Sequence, residues 1–345
     1  MDKLPRVIAT SVVRSAHQGE SHGGVYLIDL NSGQYDQVID WNDDSINWEG
    51  RGGDRGLRGI AFHNNRVFLA ASDEIFVYDT AFNRLNSYRN QYLQRCHEIS
   101  SDENTLYLTS TDLNSVLEFD LTTNVFSRGY TISRDKKVMR SLFRRIANPA
   151  SAAFQITFFD PNKTDGPRVG PDSGSLHINN VSQHDGLITI SGTAIESLLE
   201  LKQKRLLEYA PLPRRTHNAA IYKDGIIYND TGSNRLIIAD RKNRIKQSFD
   251  VPKYEPSTLS NAHLPNDHAR QGFARGSVYM ATMWLSTVHS YPPFPPTAWP
   301  QEGGLAALIF QKISATAFMA SKCGQDKSHV IMRTFSVDLR VADFS

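Results

Sequence analysis

The chain has 345 residues, of which 40% are hydrophobic and 21% are charged, and its formal net charge is +2. A charge balance this even, with no basic stripe, argues against a nucleic-acid partner, and no apolar run approaches the roughly 18–20 residues that cross a bilayer. The two cysteines, Cys96 and Cys323, lie far apart, a count that suits a reducing compartment. With no signal-peptide pattern at the first residues, we expect a cytoplasmic protein with no membrane partner.

Short strands of alternating hydrophobic residues recur along the chain at intervals of about 40 residues, which is the length of a propeller repeat. The units are predicted at 7–41, 57–88, 96–130, 176–209, 216–251 and about 271–313. In each unit a turn rich in Asp, Asn and Gly follows the first strand, and the third strand ends in an acidic residue. This pattern indicates a β-propeller, in which every repeat forms one four-stranded blade around a central channel.

The repeats favour an all-β fold: a single six-bladed propeller domain over residues 1–345. Residues 134–175 are as long as a blade but lack the inner-strand pattern, so we interpret them as an insertion between blades; counting them as a blade gives seven. The first unit starts at its second strand. We expect its inner strand to come from within residues 329–339, so that strands near both ends of the chain close the ring. Residues 290–301 contain five prolines and are predicted to form a loop.

A histidine recurs at corresponding positions of three repeats. His97, His177 and His217 lie 80 and 40 residues apart, and Arg58 lies 39 residues before His97. Because corresponding positions of a propeller lie at one height around the channel, we expect three imidazoles and a guanidinium at one channel end. Three imidazoles are suitable ligands for Zn²⁺, Fe²⁺, Mn²⁺ or Ni²⁺, and His268 is the candidate fourth ligand.

A glycine-rich segment at residues 48–58 brings further arginines towards the same end. Arg51, Arg55 and Arg58 are spaced by four and three residues. Guanidinium groups bind carboxylate or phosphate through paired hydrogen bonds, so we predict that these side chains hold a small anionic molecule. The alternative is a loop between blades whose arginines form ion pairs with surface acids.

Polar residues follow the three histidines. Glu98, Asn179 and Asn218 are expected to point away from the channel, because successive side chains of a strand alternate, and to orient the metal ligands from behind. The alternative for the histidines themselves is a structural role, with hydrogen bonds inside their own blades.

The sequence also carries a family resemblance in its inner strands. Residues 177–179 read His-Ile-Asn, and residues 216–218 read Thr-His-Asn, followed by Asp224-Gly225 and an aliphatic strand. This pattern resembles a group of uncharacterised bacterial six-bladed propellers, and at the level of the fold it is similar to the strictosidine-synthase and gluconolactonase propellers. The resemblance covers residues 56–240 and implies the fold. It implies no activity, because the metal-binding Glu/Asn/Asp set of the gluconolactonases is not recognisable here.

These features together predict a metal-dependent enzyme of the lyase or hydrolase type, centred on the channel and acting on a small anionic molecule. No organic cofactor is expected. The competing hypothesis is a non-catalytic propeller that binds a protein or a glycan through one face or through the proline-rich loop.

Overall fold

The computed structural model describes residues 6–13, 21–42, 56–134, 154–202 and 205–251, and the strands at 274–280, 283–288, 308–309 and 335–341. The regular elements within these residues are all β-strands, numbered here β1 to β24 in chain order. Within the same residues, no helix combines the length and apolar character that a membrane crossing requires. The all-β propeller expected from the repeats is confirmed.

The strands pair into antiparallel sheets of neighbouring chain segments. The first sheet contains β1 (Arg6–Val13), β2 (Gly23–Asp29), β3 (Tyr35–Asp40) and, beside β1, β24 (Phe335–Val341). The second contains β4 (Arg58–His63), β5 (Arg66–Ala71), β6 (Glu74–Asp79) and β7 (Arg84–Arg89). The third contains β8 (Ile99–Asp102), β9 (Thr105–Ser110), β10 (Ser115–Asp120), β11 (Val125–Arg134) and β12 (Phe154–Phe159).

The remaining sheets follow the same order of strands. The fourth contains β13 (Ile178–His184), β14 (Leu187–Gly192), β15 (Ser197–Lys202) and β16 (Arg205–Pro211). The fifth contains β17 (Thr216–Tyr222), β18 (Gly225–Asp230), β19 (Arg235–Asp240) and β20 (Ile245–Asp250). A three-stranded sheet contains β21 (Ala274–Met280), β22 (Met283–Val288) and β23 (Leu308–Ile309).

The number of complete blades in the described residues is therefore five. The expected six, and the alternative of seven, are wrong as counts of complete blades. Residues 154–159, which lie inside the stretch interpreted as an insertion, form the fifth, outermost strand of the third sheet and pair with β11. They extend an existing blade because their pattern supplies one more strand and no inner strand of their own.

The first strands of the sheets surround the channel. β24, β4, β8, β13, β17 and β21 lie side by side in that order, and β21 lies beside β24. β24 completes the first sheet by pairing with β1, from Val7 opposite Val341 to Val13 opposite Phe335. β24 thus supplies the inner strand of the first sheet, and it ends at Val341, two residues beyond the predicted range of 329–339.

The core lies between neighbouring sheets. The middle strands β5 and β18 are buried on both faces, since each blade packs between two others, whereas the outer strands β7 and β20 are largely exposed. Between the first two sheets, for example, the rings of Trp41 and Phe76 meet edge to face with centroids 4.6 Å apart. This packing fixes the inner strands, and therefore the side chains at the channel.

Aspartates at the ends of third strands form the turns into the fourth strands. Asp79 accepts hydrogen bonds from the backbone N–H groups of Ala81 at 2.9 Å and Asn83 at 2.8 Å, and Asp120 and Asp240 have the same role. Hydrogen bonds to the charged carboxylate, from Asn83 to Asp79 and from backbone amides to the other two, hold the pKa values below the usual 3.8. The repeated acids are therefore turn formers.

Candidate functional site

Three imidazole rings from three successive sheets meet at one end of the channel. The ring centroids of His97 and His177 are 5.1 Å apart, and those of His177 and His217 are 6.3 Å apart, with each pair arranged edge to face. His97 and His217 are buried, at 8% and 5% exposure, and His177 is half-buried. The structure thus brings together the three histidines that the sequence singled out.

Arg58 and His217 hold equivalent positions in their blades. Arg58 faces Ala70 and His217 faces Asn229, and each partner is the fifth residue of the second strand of its sheet. In both strands a one-residue bulge follows, at Gly59 in β4 and between His217 and the next paired residue in β17. The equivalence inferred from the repeat spacing is therefore confirmed for this pair.

His177 reaches the site in a different way. In the fourth sheet the fifth residue of the second strand, β14, is Ser191, and the residue opposite it is Asn180. His177 precedes β13 and has a left-handed backbone with φ of 46°. The expectation that all three histidines occupy one strand position is wrong for His177. The 40-residue spacing still identified His177 correctly as a neighbour of the other histidines, because the loop before β13 brings the His177 imidazole into contact with those of His97 and His217.

A clasp centred on Asn114 holds the loop that carries His177. The Asn114 side chain donates to the carbonyl oxygen of Asp172 at 2.8 Å and accepts from the backbone N–H of Leu176 at 3.0 Å. The N–H of His177 in turn donates to the carbonyl oxygen of Gly174 at 3.0 Å. Because Asn114 lies in the turn between β9 and β10, this clasp ties the third sheet to the fourth sheet's histidine.

The other two histidines are held by hydroxyl groups of their own blades. His217 Nδ1 lies 2.9 Å from the Thr231 hydroxyl and 3.3 Å from the carbonyl oxygen of Arg215. The Thr109 hydroxyl accepts hydrogen bonds at 3.0 Å from the backbone N–H groups of both His97 and Glu98. The alternative considered above was a structural role, in which a histidine forms hydrogen bonds inside its own blade. The contact between His217 and Thr231 is a hydrogen bond of this type.

Glu98 and Asn218 meet across the channel. The Asn218 side-chain amide donates to Glu98 Oε2 at 3.0 Å, and the other carboxylate oxygen accepts from the N–H of Ile99 at 3.1 Å. Glu98 directly precedes β8 and Asn218 lies in β17, and β13 separates these two strands in the ring. The expectation that Glu98 and Asn218 point away from the channel is therefore wrong. The bulge in β17, with Asn218 at φ of 46°, breaks the alternation on which it relied.

Asn179 connects the fourth sheet to the fifth. Its side-chain amide donates to the carbonyl oxygen of Thr216 at 3.3 Å, so it bridges to the inner strand of the next blade. It is 3% exposed, and its oxygen has no hydrogen-bond partner among the described residues.

Arg58 is buried in the same region, at 4% exposure. Its charge acts on the fully buried thiol of Cys96, next to His97 in sequence. The pKa of this thiol is raised to about 12, with burial as the largest cause; Glu98 contributes to the rise and Arg58 opposes it. A thiol with so high a pKa is a poor nucleophile. Arg51, Arg55 and His268 lie outside the described residues.

The spacing of the imidazoles can be compared with that around a metal ion. Two imidazoles on one tetrahedral zinc ion have ring centroids about 5 Å apart, because each zinc–nitrogen bond is about 2 Å long. The distance between His97 and His177 matches this value, and that between His177 and His217 is about 1 Å longer. Among the described residues, no three His, Cys, Asp or Glu side chains are already arranged to hold a metal ion.

Sequence reasoning named Glu98 and Asn218 but gave their side chains the wrong direction, and it missed Asn114. The bulge in β17 cannot be read from hydrophobic alternation, so the direction of the Asn218 side chain was inaccessible. Asn114 lies in a turn where asparagine is common, and its contacts about 60 residues further along the chain leave no local pattern. The usable signal was the charge of Glu98 beside a histidine at the start of a buried strand.

The comparisons with known proteins concern the fold alone. No protein-family model matches the chain, and no curated protein matches it. A protein of unknown function from Bacteroides caccae is 9% identical, covers 89% of this chain and 90% of that chain, and has a TM-score of 0.46. Virginiamycin B lyase from Staphylococcus aureus is 12% identical, with 83% and 95% covered and a TM-score of 0.41. The WD40 propeller domain of Doa1 is 10% identical, with 69% and 64% covered and a TM-score of 0.39.

Proposed function

We propose that the protein is a metal-dependent enzyme of the lyase or hydrolase type whose site lies at the histidine end of the channel. His97, His177 and His217 bind one divalent transition metal ion, Zn²⁺, Fe²⁺, Mn²⁺ or Ni²⁺, and Arg58 binds the anionic group of a small substrate. The observation that carries this proposal is the contact of the His177 imidazole with the imidazoles of both His97 and His217, from the two neighbouring sheets.

The chemistry of these side chains supports the assignment. Neutral imidazole is the commonest protein ligand for these metals, and a metal with an open position polarises a carbonyl group or activates water. The buried guanidinium of Arg58 offers paired hydrogen bonds to a carboxylate or phosphate. We extend the proposal to His268 as a fourth ligand and to Arg51 and Arg55 as further anion-binding groups.

The surroundings of the site form part of the same proposal. The three-stranded sheet β21–β23 borders the site, because β21 lies between β17 and β24 in the ring of inner strands. We also propose that the protein works in the cytoplasm, on the basis of its cysteine count.

Metal content tests the proposal. Protein purified without a histidine tag, and reconstituted with each of the four metals, should retain about one equivalent per chain. The double variant His97→Ala/His177→Ala should lose it. His184→Ala is the matched control, since His184 lies at the far end of β13 with its side chain 38% exposed. Wild-type protein that retains none of the four metals would contradict the proposal.

The burial of the site supports a second candidate function. His97 and His217 are more than nine-tenths buried, and the hydrogen bond to Thr231 gives His217 a structural role. In that case the propeller is a scaffold that binds a protein or glycan. The same variants then lower the free energy of unfolding without any change in metal content.

A further inference from the structure

The outermost strand of the third sheet carries no charge. β12 consists of Phe, Gln, Ile, Thr, Phe and Phe, from residue 154 to residue 159. The outermost strands of the other four complete sheets each contain two charged residues, such as Asp36 and Asp40 in β3 or Lys246 and Asp250 in β20. Charged side chains on an edge strand discourage pairing with other chains. β12 lacks this protection.

The far edge of β12 has the geometry that accepts another strand. β12 pairs with β11 on one side, and no described strand pairs with its other side. In an antiparallel ladder alternate residues bond to each neighbour, so half of the backbone N–H and C=O groups of β12 point away from β11. The side chains of Gln155, Thr157 and Phe158 are exposed. Because the third sheet has one strand more than the other complete sheets, this edge lies one strand further from the channel.

Packing on both faces holds β12 in place. On one face, Phe154 and Ile156 pack in the hydrophobic cluster that the third sheet shares with the fourth. On the other face, the rings of Phe159 and Tyr92 meet edge to face with centroids 4.9 Å apart. β12 is therefore extended and ordered before any partner binds, which lowers the entropic cost of pairing.

A second copy of the chain offers a strand that matches this edge. A two-fold axis places each β12 antiparallel to the other, and like charges directly opposite each other in such a pair would be destabilising. A strand without charge avoids this repulsion when it pairs with itself. The guanidinium of Arg134 lies 5.3 Å from the Phe154 ring, at one end of β12. The antiparallel arrangement keeps the two Arg134 side chains at opposite ends of the pair, whereas a parallel one would bring them together.

We propose that β12 is an interaction surface through which two copies of the chain form a dimer. The two β12 strands pair antiparallel and join the third sheets into one continuous sheet, with five strands from each copy. The assembly closes at two copies, because β11 covers the other edge of each β12. Six residues of strand bury less than the roughly 800 Å² per partner of a standard interface. We therefore expect a weak dimer, with a dissociation constant of about 10–100 µM. This inference does not depend on the proposed metal site.

Sedimentation velocity of the full chain tests the dimer. The wild-type protein should convert from monomer to dimer between about 1 and 300 µM. Gln155→Lys/Thr157→Lys should raise the dissociation constant at least about tenfold, because lysines face lysines whether the two-fold axis passes at Ile156 or at Thr157. The matched control is Ile245→Lys/Gln247→Lys, which places two lysines on alternate exposed residues of β20, the outermost strand of the fifth sheet. The control should leave the association unchanged.

A variant of opposite charge separates lost pairing from lost folding. Gln155→Glu/Thr157→Glu should be monomeric alone, and its equimolar mixture with the lysine variant should form a dimer, because opposite charges then face each other. Wild-type protein that stays monomeric up to about 300 µM would overturn the proposal, as would equal effects of the lysine pairs in β12 and β20. A mixture that stays monomeric although both variants are folded would also overturn it, and growth beyond two copies would contradict closure by a two-fold axis.

Discussion

Gly59 is the position where a single methyl group should disturb the channel most directly. Its backbone has a φ of 27°, in the left-handed region, and an added Cβ would lie 2.8 Å from the backbone nitrogen of Ile99. Gly59→Ala therefore combines about 1–2 kcal/mol for the left-handed backbone with about 1–3 kcal/mol for forcing two strands apart. The free energy of unfolding should fall by about 2–5 kcal/mol, the sum of these two costs.

Gly186→Ala is the matched control for this prediction. Gly186 has a φ of 74°, but an added Cβ would meet nothing within 4 Å. Only the backbone cost of about 1–2 kcal/mol should then appear. Urea denaturation, followed by tryptophan fluorescence, measures both variants on the same scale. Equal losses in the two variants would refute the reasoning that close approach of β4 and β8 makes Gly59 necessary.

Three further outcomes follow from the contacts described above. Asn114→Ala should weaken metal binding at least about tenfold, because it releases the loop before β13. Asn124→Ala, at a turn of similar backbone conformation, should leave metal binding unchanged. Equal effects of the two variants on metal binding would contradict the role of the clasp. In a Cys323→Ser background, the Cys96 thiol should stay unreactive towards an aromatic disulfide reagent at pH 8 until the protein unfolds, because burial raises its pKa to about 12; rapid reaction of native protein would contradict this. The turn aspartates have pKa values below 3.8 in the folded protein, so they stabilise the fold above that pH, and this contribution is lost as the pH falls through the lowered pKa values. A urea midpoint that stays constant from about pH 5 to pH 2 would contradict this prediction.

The fold was accessible from the sequence because its repeats are local. Alternation inside strands, Asp-containing turns and a 40-residue period all reflect contacts between neighbours in the chain, so they predicted the all-β propeller and the return of a C-terminal strand to β1. The completeness of each blade was less accessible. Residues 154–159 have an ordinary strand pattern, and nothing in that pattern distinguishes a fifth strand of one blade from part of a new blade.

The candidate site was accessible only in part for the same reason. The histidine spacing identified the three imidazoles, although His177 reaches its place from a loop. The direction of Asn218 depends on the bulge in β17, which a single residue creates without changing hydrophobic periodicity. Contacts between blades, such as that of Asn218 with Glu98, join residues 120 positions apart and have no signature in one sequence.

The pairing of β24 with β1 also sets the order in which the molecule can be assembled. During synthesis, β1 emerges more than 300 residues before β24, its partner on the channel side. Until then β1 presents an open edge, which is a site for mispairing with other chains. Each doubling of loop length adds only about 0.6 kcal/mol to the entropic cost of closing the ring. The large separation of β1 and β24 therefore affects the timing of their pairing more than its free energy. We therefore expect the first blade to be the last to form.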